Sequence, residues 1–250
     1  MESDRGRLMA LARLVVLFED RDMLVVDKPA GVHTAPLHAG DQGTLLGMVI
    51  EAYPEVAGLQ GRKAAEPGLV NRLDRETSGC VVVARTAAAF SALLEIFAAD
   101  GASKRYTAAC AEPDHAAEGT LSVESRFAPY GPGRRMVRVI LPEEKSKRLA
   151  QAATRETYRT EARILATGSG RTLLSACITK GFRHQVRAHL SFIGYPIFGD
   201  PLYGVAVPPT FPARMYLHAA RIEMPHPVSG AAMVVESPEP PEFKALFAVR

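Results

Sequence analysis

The densest group of reactive side chains lies on a polar loop that precedes an apolar run at 81–84. The loop reads Asn-Arg-Leu-Asp-Arg-Glu-Thr-Ser-Gly from Asn71 to Gly79, and Asp74 stands between Arg72 and Arg75. Neighbouring cations favour an ionised carboxylate, which could attack an electrophile or transfer a proton at neutral pH. A loop held by local salt bridges and turns has the same composition, so these residues alone leave both interpretations open.

A second polar cluster covers residues 181–190, which read Gly-Phe-Arg-His-Gln-Val-Arg-Ala-His-Leu. Helical spacing places Val186 and Leu190 on an apolar stripe and leaves Arg187 elsewhere on the helix. A fixed arginine could orient a carboxylate through a bidentate pair, or it could form a structural salt bridge. We expect His184 and His189 to be structural, because no third ligand is spaced to complete a metal site.

Several classes of chemistry lack their usual signatures. The sequence has no HExxH, no GxxxxGK[ST], no GxGxxG after a strand and no GxSxG, so metal hydrolysis and nucleotide-dependent transfer lose their best support. The three cysteines, at 80, 110 and 177, form neither a disulfide framework nor a metal half-site, which favours a reducing cytoplasmic location. No run approaches the roughly 20 apolar residues of a membrane span, so no membrane role is expected.

Elements that could position these loops follow from the apolar periodicity. Predicted strands cover 14–18, 23–27, 81–84, 104–110, 121–126, 136–141, 157–165 and 171–179, and predicted helices cover 87–99 and 184–193, with another capped by Thr44. Strands that follow one another without regular helical crossovers predict an α+β fold with a mostly antiparallel sheet. The apolar stretch Leu8 to Phe18 could be a leader peptide, but Arg13 interrupts its apolar run. We therefore interpret the stretch as a buried strand.

Positive charge is concentrated in one segment although the net charge is only +3. Residues 126–160 contain nine Lys or Arg and three Glu, and this segment could either contact a polyanion or form a solvated surface. The cations that would make such contacts are Arg134, Arg135, Arg138, Lys145, Lys147 and Arg148.

Six motifs in order resemble those of RluA-type RNA pseudouridine synthases. They are RLDxxTSG at 72–79, the opening strand and KPxG turn at 20–31, KxY at 104–106, RHQxRxHL at 183–190, GxPixGDxxYG at 194–204, and the closing strand and turn at 217–219 and 226–227. The resemblance implies the pseudouridine synthase catalytic fold, a mostly antiparallel mixed sheet with flanking helices and a central RNA-binding cleft. It also implies one catalytic domain over 1–250, with two closely packed halves as an option and no separate N-terminal RNA-binding domain.

The same resemblance assigns roles to individual residues. Asp74 would be the essential carboxylate, acting on the ribose or the base or assisting glycosidic cleavage, and Arg187 would pair with it. Tyr106 would stack on uracil, and Arg72 would enter the RNA helix where the flipped-out target nucleotide had been. The reaction needs no cofactor and no metal. Its partner would be structured RNA, ribosomal or transfer, with no obligate protein partner.

One departure from the family pattern keeps alternatives open. The family usually has His before RLD, whereas this chain has Asn71, which leaves an inactive RNA-binding module as an alternative. A glycoside hydrolase using Asp74 and Glu76 is a second alternative, because such enzymes need two carboxyls about 5 to 10 Å apart. The absence of tryptophan, which often forms a sugar-stacking platform, weighs against it.

Overall fold

The computed structural model describes residues 14–38, 41–113 and 119–248. In chain order the elements are β1 (Val15–Glu19), β2 (Met23–Lys28), α1 (Leu45–Ala52), β3 (Ser78–Ala84), α2 (Ala87–Ala98), β4 (Ser103–Ala111), β5 (Thr120–Tyr130), β6 (Met136–Ile140), α3 (Lys147–Ala152), β7 (Tyr158–Gly168), β8 (Arg171–Ile178), α4 (Gln185–Phe192), β9 (Leu217–Pro225), β10 (Ala232–Glu236) and α5 (Pro241–Ala248). Short 3₁₀ turns cover Pro54–Gly58 and Pro132–Arg134. The chain is therefore α+β, and all six strand pairs whose registers are resolved are antiparallel.

The chain divides into two compact units. The first unit comprises Met1–Lys104 and Ala219–Pro238, and the second comprises Arg105–His218 and Glu239–Arg250. Each unit contains strands that are distant in sequence, so neither unit is a simple half of the chain.

The first unit has the strand order β1-β2-β3-β9, and β10 pairs with β9. Every residue of β3 is buried, as are most residues of β2, which explains their nearly continuous apolar sequences. Thr44 caps α1 by accepting a hydrogen bond from the Gly47 N–H, as its position before an apolar helix predicts. The α2 helix buries Phe90 and Leu93 in the cluster that contains Val82, so the strand behind the polar loop is packed on a helix.

The second unit has the strand order β4-β8-β7-β5-β6, which places β6 at the end of the sheet in the described part of the chain. A cluster of Phe127, Val137, Tyr158 and Ala188 joins β5, β6 and β7 to α4. The Phe127 ring stacks on Phe182 with their centroids 5.0 Å apart. Aromatic packing therefore fixes α4, which carries Arg187, against the β5–β6 hairpin.

The predicted elements are present, with differences at the two ends of the chain and at α3. The predicted hairpin of two strand-like islands within 112–156 is the β5–β6 pair. The segment ending at Phe18 is a strand, as predicted, over Val15–Glu19, but its predicted burial is wrong, because β1 is an end strand with Val15 56% exposed. Residues 8–13 lie outside the described residues. Sequence analysis also missed β10, α3 and α5. Within the described residues, no helix has the length and hydropathy to cross a membrane.

Candidate active site

The polar loop of the first unit is anchored to the strand that follows it. The Asn71 side chain accepts a hydrogen bond from the Val82 N–H at 2.8 Å, and its amide nitrogen lies 3.5 Å from the Cys80 carbonyl oxygen. The Val70 N–H donates to the Val82 carbonyl at 3.1 Å. Asn71, the residue that departs from the family pattern, therefore attaches the start of the loop to β3. Its side-chain amide forms hydrogen bonds with the β3 backbone like those of a paired strand.

The middle of the loop is held by the turn that follows β2. The buried Thr34 hydroxyl donates to the Leu73 carbonyl at 2.7 Å and accepts from the Leu73 N–H at 3.2 Å. The fully buried Lys28 ammonium donates to the carbonyls of Val32 and Arg75 at 2.7 and 2.9 Å. Asp74 thus lies between two residues whose backbones are fixed from the same side.

Gly31 completes this attachment. Its N–H donates to the Arg75 carbonyl at 2.9 Å, and the Arg75 Nε donates to the Gly31 carbonyl at 3.0 Å. Gly31 has φ +83°, a conformation that glycine adopts without strain. The KPxG motif therefore has a structural meaning, since its lysine and glycine both bind the backbone of the loop that carries Asp74.

Asp74 is half-buried and opens a turn in which its carbonyl accepts from the Thr77 N–H at 3.1 Å. Glu76 lies on that turn, 3.7 Å from the Arg75 guanidinium, with 39% of its side chain exposed. The loop then enters β3 at Gly79, where an added Cβ would lie 2.2 Å from the Ala219 carbonyl oxygen. The glycine of the TSG sequence is explained by this close approach of β3 to β9.

Arg72 is held by a carboxylate that sequence analysis did not single out. Its Nη1 lies 2.9 Å from Glu66 Oε1, and the Lys63 ammonium lies 3.7 Å from the same oxygen. The Glu66 side chain is only 6% exposed, whereas that of Arg72 is 55% exposed. Together with Arg62 and Asn71 these side chains line a small cavity beside the loop.

In the second unit, Arg187 forms a buried bidentate pair with Asp200. Its Nε and Nη2 lie 2.7 and 2.6 Å from the two oxygens of Asp200. The N–H groups of Leu202 and Tyr203 also donate to Asp200 Oδ1 at 2.9 and 3.2 Å. Although burial opposes ionisation, the Arg187 guanidinium and these N–H groups lower the pKa of Asp200, so the carboxylate stays charged.

The Arg187 guanidinium also lies over the Tyr203 ring, 5.3 Å from its centroid. Asp200 and Tyr203 both belong to the GDxxYG loop, so that motif supplies the surroundings of the helix-borne arginine. The loop matches the family pattern in sequence, but neither Asp200 nor Tyr203 was predicted to have a role. The GDxxYG sequence follows the helix motif closely in the chain, and this proximity could have indicated that Asp200 and Tyr203 contact Arg187. The predicted pairing of Arg187 with Asp74 stays a prediction.

The remaining predicted residues lie in the second unit. Tyr106 is on β4 with 9% of its surface exposed. His189 is buried between hydroxyls, with Nε2 2.8 Å from Ser125 Oγ and Nδ1 2.8 Å from Thr160 Oγ1, which confirms that it is structural. The six basic candidates are all exposed, on the β5–β6 hairpin, on α3 and just before α3: Arg134, Arg135, Arg138, Lys145, Lys147 and Arg148.

One group of side chains in the described residues has the spacing of a metal site, namely Asp20, Asp22 and His226. The Nδ1 of His226 accepts from the N–H groups of Val228 and Ser229 at 3.3 and 3.1 Å. Its Nε2 must then carry the hydrogen that bonds Asp20 Oδ2 at 2.7 Å. With both nitrogens so engaged, the ring has no lone pair for a metal, and the group instead ties the β1–β2 turn to the β9–β10 turn.

The chain is similar to known proteins over most of its length. A sequence model of the family described as RNA pseudouridylate synthase matches residues 22–192, a range that holds the loop, Tyr106 and Arg187. The chain is 31% identical to ribosomal large subunit pseudouridine synthase D of Nitrosomonas europaea, over 98% of this chain and 68% of that protein. It is also 31% identical to the protein of the same name from Pseudomonas aeruginosa, over 94% of this chain and 71% of that protein.

A solved structure supports the fold. Human RNA Pseudouridylate Synthase Domain Containing 4 superposes with a TM-score of 0.71 at 21% identity, covering 95% of this chain and 93% of that chain. At 21% identity the structural superposition supports only the architecture, whereas the sequence matches identify the family. The chain therefore belongs to the RNA pseudouridylate synthases of the RluA type, and it is an isomerase that acts on RNA.

Proposed function

We propose that this enzyme isomerises uridine to pseudouridine in structured ribosomal RNA, with Asp74 as its catalytic carboxylate. The observation that carries the proposal is the anchoring of the loop around Asp74. Lys28, Gly31, Thr34 and Asn71 all bind backbone groups of that loop or of the strand behind it. A loop with only a structural function would not need so many independent attachments around one half-buried acid, whereas a catalytic group must be held in a fixed position.

The chemistry is a rearrangement within one nucleotide. The bond between uracil N1 and ribose carbon-1′ breaks, the base turns, a bond forms between uracil carbon-5 and carbon-1′, and the hydrogen on carbon-5 leaves as a proton while N1 gains one. No electrons are gained or lost. Asp74 attacks the ribose or the base, or assists cleavage of the glycosidic bond, and all three routes require its ionised carboxylate.

The second unit supplies the groups that receive the base. The target uridine must leave its stack, which costs a few kcal/mol. Tyr106 offers an aromatic face for stacking, and Arg187 offers a guanidinium whose orientation is fixed by Asp200. Arg72, oriented by Glu66, would fill the space that the flipped base leaves.

Ribosomal RNA is the favoured substrate class because the relatives with 31% identity along most of this chain are named for the large ribosomal subunit. Recognition would rest on RNA shape and on phosphate contacts by the exposed cations of the second unit. We further propose that the two units form one catalytic domain with the RNA in a cleft, and that the enzyme works in the cytoplasm without an obligate protein partner. Transfer RNA is the competing substrate.

The test is release of tritium from RNA labelled at carbon-5 of uridine. Unmodified transcripts of large-subunit ribosomal RNA and of transfer RNA are compared, each with wild type, Asp74→Ala and Glu76→Gln. We expect release from ribosomal RNA with wild type and Glu76→Gln, and none with Asp74→Ala. Release from transfer RNA alone would overturn the substrate class. Equal release by Asp74→Ala would overturn the assignment of the carboxylate.

Asn71 supplies the control for the inactive-module alternative. If wild type binds RNA without releasing tritium from any transcript, the chain is a binding module, and Asn71→His becomes the variant to test for restored turnover. We expect instead that wild type is active and that Asn71→Ala lowers kcat, since the loop would lose its hydrogen bond to Val82.

A further inference from the structure

The start of β6 and the turn before it are bound by two side chains of the second unit, Tyr203 and Arg183. The Val137 N–H donates to the Tyr203 hydroxyl at 2.6 Å. The Arg183 Nη2 donates to the carbonyls of Arg134 and Met136 at 2.9 and 3.2 Å. Backbone groups that an end strand normally exposes are therefore bound by residues on either side of Arg187 in the chain.

Tyr203 connects the start of β6 to the surroundings of Arg187. Its ring lies beneath the Arg187 guanidinium at 5.3 Å, and its backbone N–H donates to Asp200. Its hydroxyl accepts from the Val137 N–H and also forms a hydrogen bond with Nδ1 of His184, 3.1 Å away. Burial raises the pKa of Tyr203, so the hydroxyl stays protonated at all working pH values.

The hairpin that Tyr203 holds carries exposed positive charge. Arg134, Arg135 and Arg138 are exposed on it, and the Arg138 guanidinium lies 5.3 Å from the centroid of the half-exposed Tyr130 ring. A cation on an aromatic face suits a strand of nucleotides, which offers phosphates and stacking surfaces together. If bound RNA displaces β6, the displacement acts on Tyr203 through the hydrogen bond between the Val137 N–H and the Tyr203 hydroxyl.

We propose that Tyr203 is a positioning residue that joins the RNA-binding hairpin β5–β6 to the active-site arginine Arg187. Its ring orients the guanidinium, and its hydroxyl sets the distance between β6 and α4. RNA seated on the hairpin is thereby held in register with the arginine. This inference rests on the proposed function, because it assigns the hairpin to RNA and Arg187 to the reaction.

The two parts of Tyr203 can be removed separately. Tyr203→Phe keeps the ring but loses the hydroxyl, and Tyr203→Leu loses both. The matched control is Tyr216→Phe, which removes another buried tyrosine hydroxyl of the same unit, one that donates to the Pro212 carbonyl at 3.1 Å. Arg183→Ala provides a second way to release the β6 edge if the tyrosine variants fold poorly.

The readouts are KM and kcat from tritium release on a structured ribosomal RNA fragment. We expect Tyr203→Phe to raise KM about tenfold, the effect of one hydrogen bond at the upper end of its usual worth, with a smaller fall in kcat. Tyr203→Leu should raise KM and also lower kcat at least tenfold, and Arg183→Ala should resemble Tyr203→Phe. If Tyr203→Phe raises KM no more than Tyr216→Phe does, the inference is overturned.

Amide hydrogen exchange of β6 separates this inference from the proposed function. We expect faster exchange at 136–140 in Tyr203→Phe than in wild type, and slower exchange when RNA is added to wild type. An enzyme that releases no tritium would remove the proposed function, and these exchange rates would still test the link. Exchange in β6 that responds neither to the substitution nor to RNA would overturn the inference even in an active enzyme.

Discussion

Arg187 and Asp200 meet through two parallel hydrogen bonds of 2.7 and 2.6 Å, with both side chains almost entirely removed from solvent. The geometry matches the fork of a guanidinium to the two oxygens of a carboxylate. Asp200 is in turn fixed by two backbone N–H groups of its own loop. The orientation of the arginine is thus determined by the fold before any RNA arrives.

Replacing Asp200 by Asn should destabilise the second unit by about 3 kcal/mol, because the Arg187 charge would stay buried without its counterion. The measurement is urea unfolding at pH 7. Glu236→Gln is the control, since its partner Arg221 forms an exposed pair whose loss should cost less than about 1 kcal/mol. Similar unfolding midpoints for the two variants would contradict the prediction that Asp200 stabilises the second unit by neutralising Arg187.

Replacing Asp74 by Asn should abolish isomerisation and leave RNA affinity within about an order of magnitude. The amide keeps the size of the side chain and removes only its charge. Affinity is measured by filter binding and turnover by tritium release. Turnover near that of wild type would remove Asp74 from the chemistry, and a collapse of affinity would assign it to binding instead.

Reversing two exposed charges of the basic segment, with Arg134→Glu and Lys147→Glu together, should weaken RNA binding and flatten its dependence on salt. Fewer phosphate contacts release fewer counterions when RNA binds. The control pair is Arg21→Glu with Arg163→Glu, two exposed cations outside that segment. An unchanged slope in the first pair would show that RNA does not touch this surface.

His189 should make the stability of the protein depend on pH between about 4 and 6.5. Burial lowers its pKa from 6.5 to about 4, so the unfolded chain binds a proton in this range and the folded chain does not. The contribution to stability is complete above pH 6.5, and about 2 kcal/mol of it is lost on going from pH 7 to pH 5. Urea midpoints of wild type and His189→Asn at both pH values test this. Equal pH dependence in both proteins would contradict it.

Gly79→Ala should destabilise the first unit by 2 kcal/mol or more, on the order of a buried steric conflict. The new methyl group would press on the Ala219 backbone, and alanine would have to adopt φ +115°. Gly58→Ala is the control, because a methyl group there meets no atom within 4 Å. Thermal unfolding of both variants measures the difference, and equal melting temperatures would contradict the close approach.

The elements that could be predicted from the sequence are those determined by a local pattern of residues. Thr44 before an apolar helical stripe gave α1, and the fully apolar β3 followed the polar loop as expected. The site residues it missed depend on contacts between distant segments. Glu66 has no sequence feature that distinguishes it from a surface glutamate, yet it is buried and paired with Arg72. Lys28 has the sequence context of a turn, but its ammonium donates to the carbonyl of Arg75, 47 residues later in the chain.

The end strands were hardest to predict for the same reason. The apolar sequence of β1 suits a buried strand, and only its place at the end of the sheet exposes Val15. The β10 strand follows a turn rich in proline and glycine, and it is stabilised by pairing with β9 rather than by its own pattern. Strand order is a property of the whole sheet, so no short window of sequence contains it.

The bound start of β6 also bears on how the protein behaves at high concentration. An unpaired strand edge is a template on which a strand of another molecule can add, and this is a common first step of aggregation. Because the Tyr203 hydroxyl binds the Val137 N–H and the Arg183 guanidinium binds the Met136 carbonyl, the start of β6 offers fewer backbone groups to an incoming strand. The side chains that hold the hairpin in place thus also help to keep the enzyme from associating with copies of itself.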